Sequence, residues 1–326
     1  MDPLTLEAVW LNAVVDSPGV SLGIKISQLW RSAMRLKPDC IPCMLNLTVE
    51  FLEKVEDLGL SMEEAMTRIL EIPAFRGLNW EITPPEAAEH LMKEIVALTG
   101  DKDPFGPLKR EQNRKALQLY PWLKEMVETS PDPLYLALNL AVSGNSMDVI
   151  EKNDPEQLRQ LVEKRMKKAV PVATFSQFQK RIMDAKRIVY LGDNCGEVVF
   201  DHLLMEVMTQ EAGPEITYVV RSHPALNDVT LKDVEELGLD CDAGYLENGT
   251  DGPLPGTLLS RCSDRLRELI QRADLIISKG GGNFDTLDEE QSLTTDISFL
   301  LMAKCGPYCR ALGGNRNEPV LSNRFT

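Results

Sequence analysis

The chain has 326 residues, 43% hydrophobic and 26% charged, which suits a globular protein of one large or two smaller domains. Its net charge of −15 and pI near 4.8 argue against a nucleic-acid partner, which needs clustered Lys and Arg, and against an anionic membrane surface. No apolar run approaches the ~20 residues of a membrane-spanning helix.

Residues 1–35 read as an irregular N-terminal extension, with Met34 as an alternative start. They lack the charged start and apolar core of a secretory signal. Seven cysteines, an odd number in a chain of this size, fit reduced thiols and a cytoplasmic protein.

Residues 36–184 read as a helical domain. Met44, Leu45, Leu47, Val49, Phe51, Leu52, Val55 and Leu58 mark one helical face over 44–58. Thr83-Pro84-Pro85-Glu86 is a capping box with Pro at the first helical position. The helix it opens should run to about Leu98 and stop at Gly100. Asp154-Pro155 opens another.

Residues 185–326 change period. Apolar runs at 187–191, 216–220, 274–278 and 297–303 alternate with helical segments near 196–210, 229–237 and 260–272. Short apolar strands between helices predict an α/β domain with a doubly wound, mostly parallel sheet in a Rossmann-like three-layer α/β/α arrangement.

The polar residues of this second half fall at strand ends. Gly192-Asp193-Asn194 follows the first strand, with Glu197 one helical turn on; Arg221, Asn227 and Asp228 follow the second; Lys279-Gly280-Gly281-Gly282-Asn283 follows the third. In a parallel sheet these ends share one edge, where open α/β folds bind ligands. Asp193, Asn194 and Asp228 offer hard oxygens to Mg²⁺ or Mn²⁺. Lys279 suits a phosphate oxygen, and the glycines let backbone N–H groups approach an anion. Lys304 adds a second charge at the end of the fourth strand, and Arg221 and Asn283 are placed with the substrate contacts. With no histidine in position, Glu197 is the candidate base. Taken singly, a GDN turn is as often a helix cap and KGGGN a flexible loop; their conjunction at three strand ends favours a metal-and-phosphate site.

Other chemistries fit less well. His90, His202 and His223 have no metal spacing, and neither HExxH nor GxSxG occurs. GDNCGE lacks the GxGxxG spacing, and Arg221 stands where a dinucleotide or S-adenosylmethionine site would carry an acid. Cys195 occupies the place of a second aspartate needed for haloacid-dehalogenase chemistry. Cys40-Ile41-Pro42-Cys43 is open to a zinc half-site, a redox pair or plain structural thiols, with Cys305 and Cys309 as a second pair.

The stretches GDNCGEVVFD, VVRSHPALNDVT, NGTDG and ISKGGGNFDTL resemble the DUF89 (damage-control phosphatase, ARMT1-like) family. KPDCIPC, DPFGPLKREQN and AVSGNSMD are similar to its cysteine-bearing archaeal and bacterial branch, so the resemblance runs from about 36 to 315. It implies metal-dependent hydrolysis of phosphomonoesters of small metabolites, such as sugar phosphates, phosphopantetheine-type compounds or damaged phosphometabolites. The cofactor is a divalent cation: Mn²⁺, Mg²⁺, Co²⁺ or Ni²⁺. It carries the metal ligands onto Asp193, Asn194 and Asp228, the substrate loop onto Lys279 to Asp285, a lysine onto Lys304, and an acid that orients water onto Glu197. Asn145 and Asp148 help close the site from the helical half. Cys305 stands where the family more often has an apolar residue. The alternative is a protein that binds a phosphometabolite, or senses metal or redox state through its thiols, without turnover. Substrate identity and oligomeric state stay open.

Overall fold

A fully buried parallel strand needs no alternation of polar and apolar residues, only a short apolar run. The four runs read from the sequence behave that way. In the computed structural model, which describes residues 35–55, 59–144, 155–239 and 243–325, they are β1 (Arg187–Leu191), β2 (Glu215–Val220), β4 (Leu275–Lys279) and β5 (Ile297–Met302). Two further strands complete the sheet, β3 (Ala243–Glu247) and β6 (Pro319–Arg324). The order is β3-β2-β1-β4-β5-β6, with all neighbours parallel except β5 and β6. The expected α/β architecture is the one observed. The chain leaves β1 toward β2 on one side and returns to β4 on the other, so the switch point lies between the carboxyl ends of β1 and β4.

Seven helices precede the sheet among the described residues: α1 (Cys40–Leu52), α2 (Met62–Leu70), α3 (Pro84–Thr99), α4 (Gly106–Glu128), α5 (Pro133–Gly144), α6 (Pro155–Met166) and α7 (Val172–Asp184). Five more alternate with the strands: α8 (Glu197–Ala212), α9 (Leu231–Leu237), α10 (Asp264–Arg272), α11 (Gly280–Leu287) and α12 (Gly306–Leu312). The capping box expected at Thr83 forms: the Glu86 carboxylate accepts the Thr83 N–H at 2.8 Å and the Thr83 hydroxyl accepts the Glu86 N–H at 3.4 Å. The helix stops at Gly100, whose φ of 71° is left-handed. Helix α1 differs from the expected 44–58 span. It starts earlier, at Cys40, and ends at Leu52. The largest difference is at 280–287. The triple glycine is not a loop but the first turn of α11.

The sheet faces two cores. Ile188, Tyr190, Tyr218, Ile277 and Leu300 point into one with α4, α5, α7 and α8; Val189, Leu191, Val219, Ile276, Phe299 and Leu301 point into the other with α10 and α11. Helices from before β1 and after it thus share the first core. A third cluster joins α1 to α3 through Leu52, Ile69, Leu91, Met92 and Ile95, with Phe105 beside them. No helix among the described residues is long and apolar enough to cross a membrane.

Candidate active site

The strand ends at the switch point are laced together by backbone. The Val229 N–H donates to the Asp193 carbonyl at 2.8 Å and the Cys195 N–H to the Asn227 carbonyl at 2.9 Å, making an isolated bridge between Asn194 and Asp228. The Gly192 N–H continues the β2 ladder at the Val219 carbonyl. Asp228, far in sequence from the adjacent Asp193 and Asn194, therefore shares one small volume with them, and all three are buried.

Arg221 joins the two acids. Its Nε donates to Asp228 Oδ2 at 2.6 Å, and its Nη2 lies 3.7 Å from Asp193 Oδ1. Its Nη1 donates to Thr257 Oγ1 at 3.2 Å and to Asn283 Oδ1 at 3.0 Å. Burial first, then Asp228 and Glu197, push the Asp193 carboxyl well above its ordinary range, against the opposing pull of Arg221 and Lys304. Lys304 is therefore near enough to act on Asp193.

The first turn of α11 faces the same crevice. The side of Gly280 is filled by Asp193: a Cβ there would lie 1.8 Å from Asp193 Oδ2, and its φ is 75°. A Cβ on Gly281 would meet the Tyr308 hydroxyl at 2.2 Å, and one on Gly282 the Pro255 carbonyl at 2.0 Å. The glycines bring backbone against backbone, and a helix N-terminus presents N–H groups that have no acceptor within the helix.

Several expected substrate contacts are placed otherwise. Lys279 is fully buried and does not reach the crevice. Its ammonium donates to Glu197 Oε1, to Asp201 Oδ1 and, at 3.0 Å, to the Ala141 carbonyl of α5. Burial opposes the charge on Lys279, yet Asp201 and Glu197 outweigh it and its pKa is raised. The lysine is a fixed core cation, not a mobile phosphate ligand. Glu197 is equally committed, paired with Lys279 and accepting from Asn194 Nδ2 at 3.4 Å, so it is not a base open to the crevice. Asn283 spends its amide on the Gly192 and Lys279 carbonyls at 2.9 and 2.8 Å, and its oxygen on Arg221 and Thr257. It joins β1, β4 and the loop after β3 and has no group left for substrate. Arg221 is buried among carboxylates, with only Nη2 lacking a hydrogen-bond partner. Asn145 and Asp148 lie outside the described residues.

Other residues enter that the sequence did not single out. From α4, Asn113 Oδ1 accepts the Gly196 N–H at 2.6 Å and Gln112 Oε1 accepts from Asn227 at 3.3 Å. Lys109, fully buried, pairs with Asp233 at 2.7 Å and Asp103 at 3.2 Å. Asp233 closes the capping box of α9 with Thr230, two residues after Asp228. Asp201 lies under Glu197. A signal for it is present in the sequence: acids four apart in the mainly apolar first turns of a helix.

A divalent cation fits this donor set. Two buried carboxylates and an amide carry hard oxygens, and carboxylates crowded out of water need positive charge. Among the described residues no group of three His, Cys, Asp or Glu side chains is arranged for a metal, so the third donor beside the two carboxylates is the Asn194 amide. Burial raises the Cys40 thiol and pushes Cys305 up to about 11, which disfavours their thiolates.

Known proteins match this chain over most of its length. The chain is similar to a damage-control phosphatase of Archaeoglobus fulgidus, 28% identical over 298 residues covering 88% of this chain and 98% of that one. It is similar to a damage-control phosphatase of Pyrococcus horikoshii, 29% identical over 294 residues covering 90% and 99%. The crystal structure of a DUF89 family protein from Pyrococcus horikoshii matches with a TM-score of 0.78 at 27% identity, over 89% of this chain and 99% of that one. Residues 36–320 match the damage-control phosphatase ARMT1-like domain, and the chain belongs to that family.

Proposed function

We propose that the protein is a metal-dependent phosphatase that hydrolyses phosphomonoesters of small metabolites, among them sugar phosphates and phosphopantetheine-type or damaged phosphometabolites. One observation carries the reading: Asp193, Asn194 and Asp228 are laced together at the switch point, directly against the N-terminal turn of α11. The names of the relatives support the phosphatase class.

Asp193, Asn194 and Asp228 would hold Mn²⁺, Mg²⁺, Co²⁺ or Ni²⁺, which when bound supplies Lewis-acid stabilisation to the phosphoryl group. The protein's part is positioning and charge. The Gly281 and Gly282 N–H groups and the Lys304 ammonium take phosphoryl oxygens. Arg221 holds the Asp228 carboxylate in place through Nε and sets its Nη2 beside Asp193. Lys279 and Asn283 act from behind, fixing Glu197 and the β1 and β4 ends.

A phosphate-release screen over phosphorylated metabolites, run with each cation, tests this. Turnover should require added metal, cease with EDTA and fall at least a thousandfold in Asp193→Asn while the fold is retained. Undiminished turnover in EDTA, or in that variant, would sink the assignment. Binding of phosphometabolites without release of phosphate would leave a binding protein instead.

A further inference from the structure

Helix α8 carries Glu197 and Asp201 four residues apart, and both are fully buried beneath the crevice. Two carboxylates taken out of water need cations or donors at every oxygen. They have them. Lys279 donates to both. The Tyr190 hydroxyl donates to Asp201 Oδ1 at 2.8 Å and the Tyr218 hydroxyl to Asp201 Oδ2 at 3.0 Å, from rings stacked at 5.3 Å. The second Glu197 oxygen accepts from Asn194 Nδ2 at 3.4 Å, and the same Nδ2 donates to Asp193 Oδ2 at 2.7 Å. One chain of hydrogen bonds thus runs from the tyrosines of β1 and β2 to Asp193.

This chain decides which way the Asn194 amide faces. The NH₂ group of an amide is its only donor, so Asn194 gives that end to the Glu197 and Asp193 oxygens and turns its Oδ1 end away from them. Glu197 can hold that end only while its charge and position are kept, and Lys279 keeps them. Lys279 in turn is held by Asp201, whose two tyrosine donors leave it little freedom. One ammonium against two carboxylates also leaves net negative charge under the crevice.

We propose that Asp201 and Lys279 are positioning residues that set the affinity of the crevice for a divalent cation, acting through Glu197 on the orientation of Asn194. The inference rests on the cation reading above and deepens it. Partners behind metal ligands typically change metal affinity 10–100-fold when altered.

The test is Mn²⁺ binding by the intact protein, read as free Mn²⁺ by electron paramagnetic resonance and as the Mn²⁺-dependent rise in Tm. Asp201→Asn keeps the shape and removes one charge. It should raise the Kd for Mn²⁺ about 10–100-fold and shrink the Mn²⁺-dependent rise in Tm. Glu197→Gln places an amide against Lys279 or Asn194 and should do the same, which covers the case where Asp201→Asn does not fold. In an Asn194→Ala background the Asp201→Asn change should add less than threefold on the order expected for residues acting in series. Binding within twofold of wild type in both single variants overturns the proposal, as does full additivity with Asn194→Ala. Failure of the wild-type protein to bind Mn²⁺ overturns the cation reading itself, and this inference with it.

Discussion

Gly280 sits where three demands meet. Its φ of 75° is left-handed, it opens α11, and Asp193 Oδ2 occupies the space a Cβ would take. Gly280→Ala must therefore displace Asp193, and a displacement of about 1 Å at a reacting centre costs on the order of a hundredfold in rate. Gly238 gives the control. It caps α9 with a φ of 62° and has nothing within 4 Å of its missing Cβ. Gly238→Ala should cost about 1 kcal/mol of stability from backbone strain alone, with kcat/KM unchanged. Phosphate-release kinetics and urea melts on the two variants check both; equal activities would show that the closeness of Gly280 to Asp193 has no functional weight. At this scale the sequence was legible in part. Asp193, Asn194 and Asp228 are grouped as their strand-end positions suggested. Residue type shows chemistry but not direction, so the sequence alone aims Lys279, Glu197 and Asn283 at substrate. Lys279 is turned by Asp201 and the Ala141 carbonyl, one from the buried face of α8 and one from a helix 138 positions away in sequence, and it takes Glu197 with it; Asn283 is turned by the Gly192 and Lys279 carbonyls.

Among the elements, α4 holds the crevice from the helical side through side chains. The DPFGPLKREQN stretch matters because residues 109, 112 and 113 reach both the loop of Asp193 and Asn194 and the segment around Asp228. Asn113 satisfies the Gly196 N–H, and a Cβ on Gly196 would lie 3.2 Å from the Gln112 carbonyl oxygen. Lys109 ties α4 to the start of α9. Lys109→Met would strand Asp233 without its buried partner and should cost about 3 kcal/mol. Asn113→Ala leaves a buried N–H without an acceptor and should cost about 1–3 kcal/mol, with a raised metal requirement for turnover. Chemical denaturation beside metal titration of activity would check these; an Asn113→Ala protein with wild-type metal dependence would remove α4 from the site. Elements also show where sequence patterns fade. The central strands β1, β2, β4 and β5 are apolar runs and were readable. Strand β3 is AGYLE and β6 is PVLSNR, edge strands with too few buried positions for a run. Helix α11 opens on three glycines, which lower helix propensity everywhere except where packing demands close approach.

Across the whole molecule, one ion pair joins the helical half to the loop that backs the crevice. Glu89 of α3 is buried and takes both Arg261 nitrogens, at 2.6 and 2.8 Å, with Lys93 at 2.8 Å. Gly252 lies so close that a Cβ would be 2.3 Å from Glu89 Oε1, and a few residues on, Pro255 meets Gly282 of α11. The hydrogen bonds from Arg261, against the cost of burial, lower the Glu89 carboxyl from its usual 4.5 to about 2. A carboxyl whose folded pKa is depressed contributes stability above its unfolded value and loses it as the pH falls through the folded one. The Glu89 contribution is therefore complete above pH 4.5 and fades toward pH 2. It amounts to about 2–3 kcal/mol, allowing for the partial exposure of Arg261. Glu89→Gln should be less stable than wild type by that amount at pH 7, and the gap should narrow steadily between about pH 5 and pH 2. Guanidinium melts of both proteins across that range, with the difference isolating Glu89 from the other carboxylates, give the measurement. A gap that stays constant with pH would mean that Glu89 acts by shape alone. A gap that closes, with phosphatase activity failing alongside, would show that the loop behind α11 holds its place by charge.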